Sequence, residues 1–243
     1  MVLVPTGLDG NQSPITTAAR DRVVDHVTDL VRSHTAERVV VGVDGRPGSG
    51  KSTFADELAA RLRSHGGTVV RSTTDSFHHP RDVRMRRGPT SAEGYYHDSH
   101  QVEVIVDQLL RPLADGRSSV LTAAFDEPTD TALHETAEVP DAAVLVFDGL
   151  FLHRRSLHEH LHLTVLLEAD DRLDARWLHL LLADLPLDPV RRASELDHRL
   201  HRARWPRYRD GWTLYTDDVR PEALATVVID NDDLARPILL ASR

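Results

Sequence analysis

Short aliphatic runs alternate along this chain with segments whose apolar residues recur every three or four positions. The runs, rich in valine and isoleucine, predict buried strands, and the periodic segments predict amphipathic helices. The predicted strands cover 38–44, 68–72, 142–147, 161–167 and 225–229, and the predicted helices cover 17–33, 51–65, 99–113 and most of 170–209. This alternation predicts an α/β fold, a three-layer sandwich around a mainly parallel sheet of about five strands.

The remaining segments define the domain organisation. Residues 1–15, with two prolines and two glycines, predict a frayed leader. A β-hairpin is predicted around 126–133, and 78–98 is interpreted as a long polar loop that covers a substrate. Because no repeat or linker is evident, we expect a leader and helix in 1–35 and one domain over 36–243, with an arginine-rich helical lid at about 170–210.

The first predicted strand runs into a phosphate-binding motif. The sequence GRPGSGKS, Gly45–Ser52, fits G-x-x-x-x-G-K-[ST] at every fixed position and is followed by a helical pattern. Glycines allow backbone N–H groups to approach a polyphosphate, and the helix directs the positive end of its dipole at the anion. A chance glycine loop is the alternative, but the strand and helix on either side favour a true P-loop. The predicted nucleotide-binding residues are Gly45, Gly48, Ser49, Gly50, Lys51, Ser52 and Thr53.

Composition narrows the function classes. Lys51 is the only lysine among 29 basic residues, which places a compact ammonium where phosphate binding requires it. The formal charge of −9 argues against binding of nucleic acid polymers, and the absence of cysteine excludes disulfides and thiolate metal sites. No apolar run is long enough for a membrane span, and no signal peptide is evident, so we expect a cytoplasmic protein.

Two acidic residues follow predicted strands. Asp75 comes after the second strand, at the sheet edge where ligands bind, and is the candidate catalytic base. An Asp that merely caps a turn is an equal alternative on the sequence alone. Asp148 follows the apolar run 142–147, which is a Walker-B pattern. We favour the interpretation that Asp148 binds Mg²⁺ together with the Ser52 hydroxyl over the alternative that it only forms a turn at the end of the strand.

Several polar side chains have two interpretations. Tyr95, Tyr96 and His97 suit contact with a base or sugar, although core packing explains tyrosines equally well. Arginines dominate 170–209; they could stabilise charge in phosphoryl transfer or form surface ion pairs. Arg84, Arg86 and Arg87 likewise have two interpretations: they bind phosphate, or they belong to a basic loop exposed to solvent. A metal site at the alternating His158, His160 and His162 is disfavoured, because no carboxylate at ligand spacing completes it.

Taken together, these motifs resemble the uridine kinase family of P-loop kinases, which is related to phosphoribulokinase and bacterial pantothenate kinase. The resemblance covers about 36–235 and rests on GRPGSGKST, TTDSFH, EGYYHDSH, VLVFDGLFL and VVIDN. It implies ATP- or GTP-dependent, Mg²⁺-assisted phosphorylation of a hydroxyl, with Asp75 as base, Lys51 and Ser52 on nucleotide and metal, and Arg176 with later arginines in the lid.

The resemblance makes a nucleoside such as uridine or cytidine the first expected acceptor. Where well-characterised uridine kinases carry Phe-Asp-His-Pro, this chain has Gly-Tyr-Tyr-His at 94–97. Pantothenate, a sugar or a sugar phosphate therefore remain alternative acceptors. A regulatory protein that binds nucleotide without catalysing a reaction is a further alternative. A conventional GTPase is excluded, because its Asn-Lys-x-Asp motif needs a second lysine. Homo-oligomer formation is also left open.

Overall fold

Six strands form the central sheet in this computed structural model, which describes residues 17–170, 185, 188–203 and 206–243. The sheet order is β2-β5-β1-β6-β7-β8; the first five strands are parallel, and β8 pairs antiparallel with β7. The strands are β1 Arg38–Gly45, β2 Val69–Thr73, β5 Ala143–Gly149, β6 Leu163–Glu168, β7 Val227–Asp230 and β8 Ile238–Ser242. The predicted, mainly parallel α/β sheet is confirmed, with one additional antiparallel strand at its edge.

Helices cover both faces of this sheet. They are α1 Ala18–Ser33, α2 Lys51–Ser64, α3 Arg81–Arg84, α4 Ala92–Asp98, α5 Val102–Val104, α6 Arg111–Ala114, α7 Arg155–His158, α8 Pro189–Ala203, α9 Pro206–Val219 and α10 Pro221–Leu224. A π-helical segment, Ile105–Leu110, joins α5 to α6 just before Pro112. A proline inside a helix removes a backbone donor and clashes with the preceding turn, so the widened turns fit the sequence here.

The alternation of side chains along β1 creates the two core layers. Val41 and Val43 pack with α1 and α2 on one face, whereas Val40 packs on the other face with Leu109 and Leu145. Successive residues of a strand point to opposite faces, so a strand buried on both sides is apolar at nearly every position. This explains why the valine run in β1 predicted a central strand.

A separate antiparallel hairpin stands beside the sheet. It consists of β3 Ser119–Asp126 and β4 Thr131–Glu138. The hairpin is confirmed, although its second strand begins five residues earlier than the predicted 136. β3 is largely buried and β4 is exposed, which is why hydrophobic pattern revealed the first strand better than the second.

The interpretation of 78–98 as a loop without regular structure was wrong, because α3 and α4 lie within it. The side chain of Ser91 caps α4 by accepting a hydrogen bond from the Gly94 N–H at 3.0 Å. The helix then packs on α9, where a Cβ added to Gly211 would lie 2.8 Å from Tyr95 Cδ1. A seven-residue helix is marginal by itself, so tertiary packing stabilises it.

The predicted leader and part of the predicted lid lie outside the described residues. Within the described part of the 170–209 segment, α8 and the first turn of α9 are helical as predicted. No helix among the described residues has both the length and the apolar character that crossing a membrane requires.

Candidate functional site: a P-loop cleft

The P-loop lies between β1 and α2. Gly48 and Gly50 have φ values of 77° and 86°, a region that L-residues with side chains rarely adopt. Gly50 is also the N-cap of α2, and a Cβ there would approach Asn231 Nδ2 to 2.9 Å. The loop therefore requires glycine both for its backbone conformation and for its close contact with the end of β7.

Lys51 lies at the N-terminus of α2. Its Nζ donates a hydrogen bond to the Arg46 carbonyl at 3.0 Å, which holds the ammonium across the mouth of the loop. Burial lowers the pKa of Lys51, while the negative charges of Asp75, Asp44 and Asp148 oppose that shift. These three carboxylates favour the charged ammonium, the form that binds phosphate.

Ser52 and Asp148 meet where α2 faces the end of β5. Ser52 Oγ donates to Asp148 Oδ2 at 2.8 Å. Asp148 is buried, and its other oxygen, Oδ1, accepts from Arg71 Nη2, also at 2.8 Å. The structure thus brings together the two predicted metal ligands. No sequence motif pointed to Arg71 of β2, which pairs with one of them.

Asp75 opens onto the same cleft as the P-loop. It lies on a 3₁₀ turn, Thr74–Phe77, directly after β2, and its side chain is 65% exposed. The cleft has a volume of about 720 Å³ and is lined by Lys51, Ser52 and Asp75 together with Ala123 and Phe125 of the hairpin. Phosphate-binding groups and an accessible carboxylate therefore share one cavity large enough for a small molecule.

The three candidate substrate residues have different surroundings. Tyr95 lines the cleft, with its ring edge against Tyr208. Tyr96 is buried and donates a 2.8 Å hydrogen bond to Asp218 Oδ2; burial and this bond raise the pKa of Tyr96 to about 12. His97 is exposed, pairs with Glu93 at 3.2 Å and lines a neighbouring cavity. Of these three described residues, only Tyr95 lines the P-loop cleft.

Arginines reach the cleft from two sides. Arg84 is buried, lines the cleft and pairs with Glu127 at 2.7 Å. Arg207, in the first turn of α9, is also buried and lines the cleft, with its Nη1 donating to the Pro89 carbonyl at 3.2 Å. Arg176 lies outside the described residues.

The other two arginines of the 78–98 segment are engaged elsewhere. Arg86 and Arg87 both bind the carboxylate of Asp98, the latter through a 2.7 Å bond from Nε to Oδ2. The hydrogen bond from Arg86, with that from Arg87, keeps the pKa of Asp98 below its usual value although burial opposes this. Their pairing with Asp98 orders the segment before α4.

A buried network behind the P-loop was not found by sequence reasoning. Asp44, at the end of β1, accepts hydrogen bonds from Gly45 N at 2.7 Å, from His153 Nδ1 at 2.8 Å and from the Tyr215 hydroxyl. Burial alone would raise the pKa of Asp44, but the bonds from His153, Tyr215 and Gly45 lower it. The only sequence signal for this network is the charged residue Asp44 at the end of the apolar run of β1.

Asn231 anchors the loop from the opposite side. Its Nδ2 donates to the Ser49 carbonyl at 2.7 Å, and its Oδ1 accepts from Arg20 Nη1 at 3.3 Å. The conformation of the P-loop is therefore fixed from β7 as well as from β1.

A match to a known protein family identifies the kind of protein that carries this cleft. The Phosphoribulokinase / Uridine kinase family matches residues 40–184, which include the P-loop, Asp75 and Asp148. The chain belongs to this family of P-loop kinases. Membership of the phosphoribulokinase/uridine kinase family implies that the chain binds a nucleotide and is a phosphotransferase.

Individual members of the phosphoribulokinase/uridine kinase family are similar but distant. A uridine kinase of Leuconostoc citreum is 27% identical over 148 residues, which cover 60% of this chain and 69% of that protein. A solved structure described as a possible uridine kinase from Bacillus stearothermophilus has a TM-score of 0.67 at 24% identity, covering 86% of this chain and 97% of the other.

The same fold also occurs in kinases with other acceptors. The structure of a D-glycerate 3-kinase from Cryptococcus neoformans has a TM-score of 0.53 at 16% identity, with 81% of this chain and 90% of that chain covered. Likeness at this identity shows the shared fold, and the acceptor has to be argued from the site itself.

Proposed function

We propose that this chain transfers the γ-phosphoryl group of ATP or GTP to a hydroxyl of a small molecule, with a nucleoside such as uridine or cytidine as the acceptor. The observation that supports it best is the shared cleft: Asp75 is exposed in the cavity that Lys51 and Ser52 also line. A carboxylate facing a phosphate-binding loop across an open space is the arrangement that transfer to an alcohol needs.

The P-loop binds the nucleotide in this proposal. Backbone N–H groups of Gly48, Gly50, Lys51, Ser52 and Thr53 surround the phosphates at the N-terminus of α2. Gly45 and Ser49 shape the loop, since their N–H groups donate to Asp44 Oδ1 and to the Arg46 carbonyl. The Lys51 ammonium moves from the Arg46 carbonyl, which it now contacts at 3.0 Å, to the β- and γ-phosphates. Its charge then stabilises the negative charge that spreads over the transferred group.

Two oxygen donors fit a magnesium ion. Ser52 Oγ and Asp148 Oδ2 already lie 2.8 Å apart, and hydroxyl and carboxylate oxygens are the ligands that Mg²⁺ prefers. Arg71 holds the second oxygen of Asp148, which directs the remaining oxygen toward Ser52. When bound, the ion neutralises phosphate charge and aligns the γ-phosphoryl group.

Asp75 acts as the base. As the acceptor oxygen attacks the γ-phosphorus, the O–H proton moves to the Asp75 carboxylate, the bond from the γ-phosphorus to the β–γ bridging oxygen breaks, and the nucleoside diphosphate leaves. The high exposure of Asp75 leaves room for an acceptor between the carboxylate and the P-loop. Arg176 of the lid, with Arg207 already in the cleft wall, stabilises the charge of the transferred group.

The acceptor lies between the hairpin and α4. Phe125 and Leu133 of the hairpin and Tyr95 of α4 supply apolar and aromatic contact for a flat base, and Ser99 and Glu135 line the same space with polar groups. Tyr96 and His97 contribute by holding α4 and its exposed end in place. The uridine kinases among the relatives support this choice over pantothenate, a sugar or a sugar phosphate.

An acceptor screen with Asp75→Asn tests the proposal. Nucleoside diphosphate release is measured with uridine, cytidine, pantothenate, sugars and sugar phosphates, and nucleotide binding is measured separately by titration. We expect release that depends on a pyrimidine nucleoside, a fall in kcat of at least about 100-fold in Asp75→Asn, and nearly unchanged nucleotide binding.

Asp29→Asn is the matched control, because Asp29 is an exposed aspartate on α1 with a side chain 76% exposed. It should turn over like the unmodified chain. Full turnover by Asp75→Asn would overturn the role of Asp75. Tight nucleotide binding without release for any acceptor would favour the regulatory alternative.

A further inference from the structure

Two histidines are held side by side next to Asp75. His78, just after the 3₁₀ turn, and His100, just after α4, form an isolated antiparallel β-bridge. Backbone bonds on either side, from His79 N to Ser99 O at 2.9 Å and from Gln101 N to Phe77 O at 2.7 Å, fix their register. The two imidazole centroids are 4.7 Å apart. The backbone therefore fixes the placement of both imidazoles.

Asp75 completes a group of three donors. One donor atom from each of Asp75, His78 and His100 lies within 4.8 Å of the other two, and His100 Nε2 is 4.0 Å from Asp75 Oδ1. The His100 side chain is 2% exposed, and its Nε2 is buried without a hydrogen-bond partner. Buried polar atoms are almost always satisfied, so this nitrogen is available to a ligand.

The hydrogen bond of the His78 ring suits metal binding. His78 Nδ1 lies 2.9 Å from the Asp75 carbonyl, which can only accept, so Nδ1 carries the proton and Nε2 carries the lone pair. Such a bond to a backbone carbonyl is the usual way in which a ligating histidine is oriented.

We propose that Asp75, His78 and His100 form a binding site for a divalent metal ion with a preference for nitrogen ligands, and that Zn²⁺ is the ion it binds. Two imidazoles and one carboxylate are a common zinc ligand set, with the fourth position left to water or substrate. In a tetrahedral site with bonds of about 2.0–2.2 Å, the ligand atoms lie about 3.3 Å from one another. The three ligand atoms therefore have to approach one another by roughly 1 Å when the ion binds. The exposed Asp75 side chain can make this movement.

The two imidazole ligands select against hard cations. Imidazole nitrogens bind Zn²⁺, Co²⁺ and Ni²⁺ far better than Mg²⁺. The site is thus distinct in ligand type from the oxygen pair of Ser52 and Asp148.

Occupation of this site has a consequence for transfer. A divalent cation bound to Asp75 lowers the proton affinity of its carboxylate, so that the group accepts the acceptor's proton less readily. Zn²⁺ is therefore an inhibitor that acts at the base. This consequence rests on the proposed kinase function, whereas metal binding itself does not.

The direct test is a titration of the full chain with Co²⁺ in the absence of nucleotide, monitored by the visible absorption of four-coordinate cobalt. Zn²⁺ is then added to displace the bound Co²⁺. We expect one ion per chain. We expect His100→Phe, His78→Asn and Asp75→Asn each to weaken binding by more than about 10-fold, the loss that even outer-shell partners of a metal cause. Because His100 is buried, circular dichroism checks that its variant folds, and half-buried His78 supplies the second variant.

His65→Asn is the control, since His65 is an exposed histidine at the end of α2. It should bind Co²⁺ like the unmodified chain. Equal binding by folded His100→Phe and His78→Asn would show that other histidines hold the ion and would overturn the proposal. Zinc inhibition that His78→Asn relieves would support it. Site-dependent cobalt binding in a chain that phosphorylates no acceptor would overturn the kinase assignment and leave the metal site standing.

Discussion

Ser52 Oγ donates a 2.8 Å hydrogen bond to Asp148 Oδ2, joining the first turn of α2 to the end of β5. The two residues are 96 positions apart in the sequence, yet the sheet order places β5 directly beside β1. The bond preorganises the pair of oxygens on which nucleotide-linked magnesium is proposed to bind.

Asp148→Asn should lower kcat by about 100-fold or more, because a neutral amide binds Mg²⁺ far less strongly than a carboxylate. It should also raise the Mg²⁺ concentration needed for half-maximal turnover. Turnover measured across a magnesium series checks both effects. Asp56→Asn, which removes the exposed aspartate that also pairs with Arg71, is the control and should leave the magnesium dependence unchanged. An unchanged dependence in Asp148→Asn would count against metal binding there.

Asp44→Asn should destabilise the fold by about 3 kcal/mol, because it removes the charge that His153 Nδ1, Tyr215 and the Gly45 N–H share in a buried site. Urea unfolding at pH 7 measures the loss. Tyr215→Phe removes one hydrogen bond of this network and should cost about 1 kcal/mol. Equal stability of the unmodified chain and Asp44→Asn would show that the network contributes nothing.

The same carboxylate predicts a pH dependence. The pKa of Asp44 is lower in the folded chain than its ordinary value of 3.8. Its stabilising contribution is therefore fully present above that value and is lost as the pH falls through the folded pKa. The difference in stability between the unmodified chain and Asp44→Asn should shrink in acid, which unfolding curves between pH 7 and pH 3 test.

Glu168, at the end of β6, predicts the opposite slope. Burial and the neighbouring Glu222 and Asp230 raise the pKa of Glu168 to about 7. A raised pKa means that its stabilising contribution is present below the unfolded value near 4.5 and is lost as the pH rises through 7. Glu168→Gln should therefore be more stable than the unmodified chain at pH 8, by on the order of 1 kcal/mol after solvent screening.

Thermal unfolding at pH 5 and pH 8 measures this difference. Glu37→Gln, at an exposed position before β1, is the control and should follow the unmodified chain at both values. A Glu168→Gln variant with the same pH slope as the unmodified chain would contradict the assignment.

Gly211→Ala tests the packing of α4 on α9. An added Cβ would meet Tyr95 Cδ1 at 2.8 Å and the Ala92 carbonyl at 3.2 Å, so α4 has to move. Overpacking of this kind costs about 1–3 kcal/mol. Because Tyr95 lines the cleft, KM for the acceptor should rise more than KM for the nucleotide. Gly116→Ala is the control for the two KM values only: nothing lies within 4 Å of a Cβ there, but its φ of 78° strains the backbone and lowers stability by itself.

Local motifs predicted the P-loop and the strands that carry Asp75 and Asp148, because each depends on a few neighbouring residues and on where parallel strands end. The network of Asp44, His153 and Tyr215 joins residues up to 171 positions apart, and no local pattern reports such a contact. β8 was missed for a different reason: it is short and mostly exposed, and it pairs at the edge. α4 depends on packing against a helix more than 100 residues away.

α9 links two parts of the site that lie on different elements. Its first turn presents Arg207 to the cleft, and two turns later Tyr215 reaches the carboxylate at the root of the P-loop. Because both side chains belong to one continuous helix, a shift of α9 that carries the Arg207 backbone away from the cleft also pulls the Tyr215 hydroxyl away from Asp44. The wall of the cleft and the base of the P-loop therefore move together whenever α9 moves as a unit.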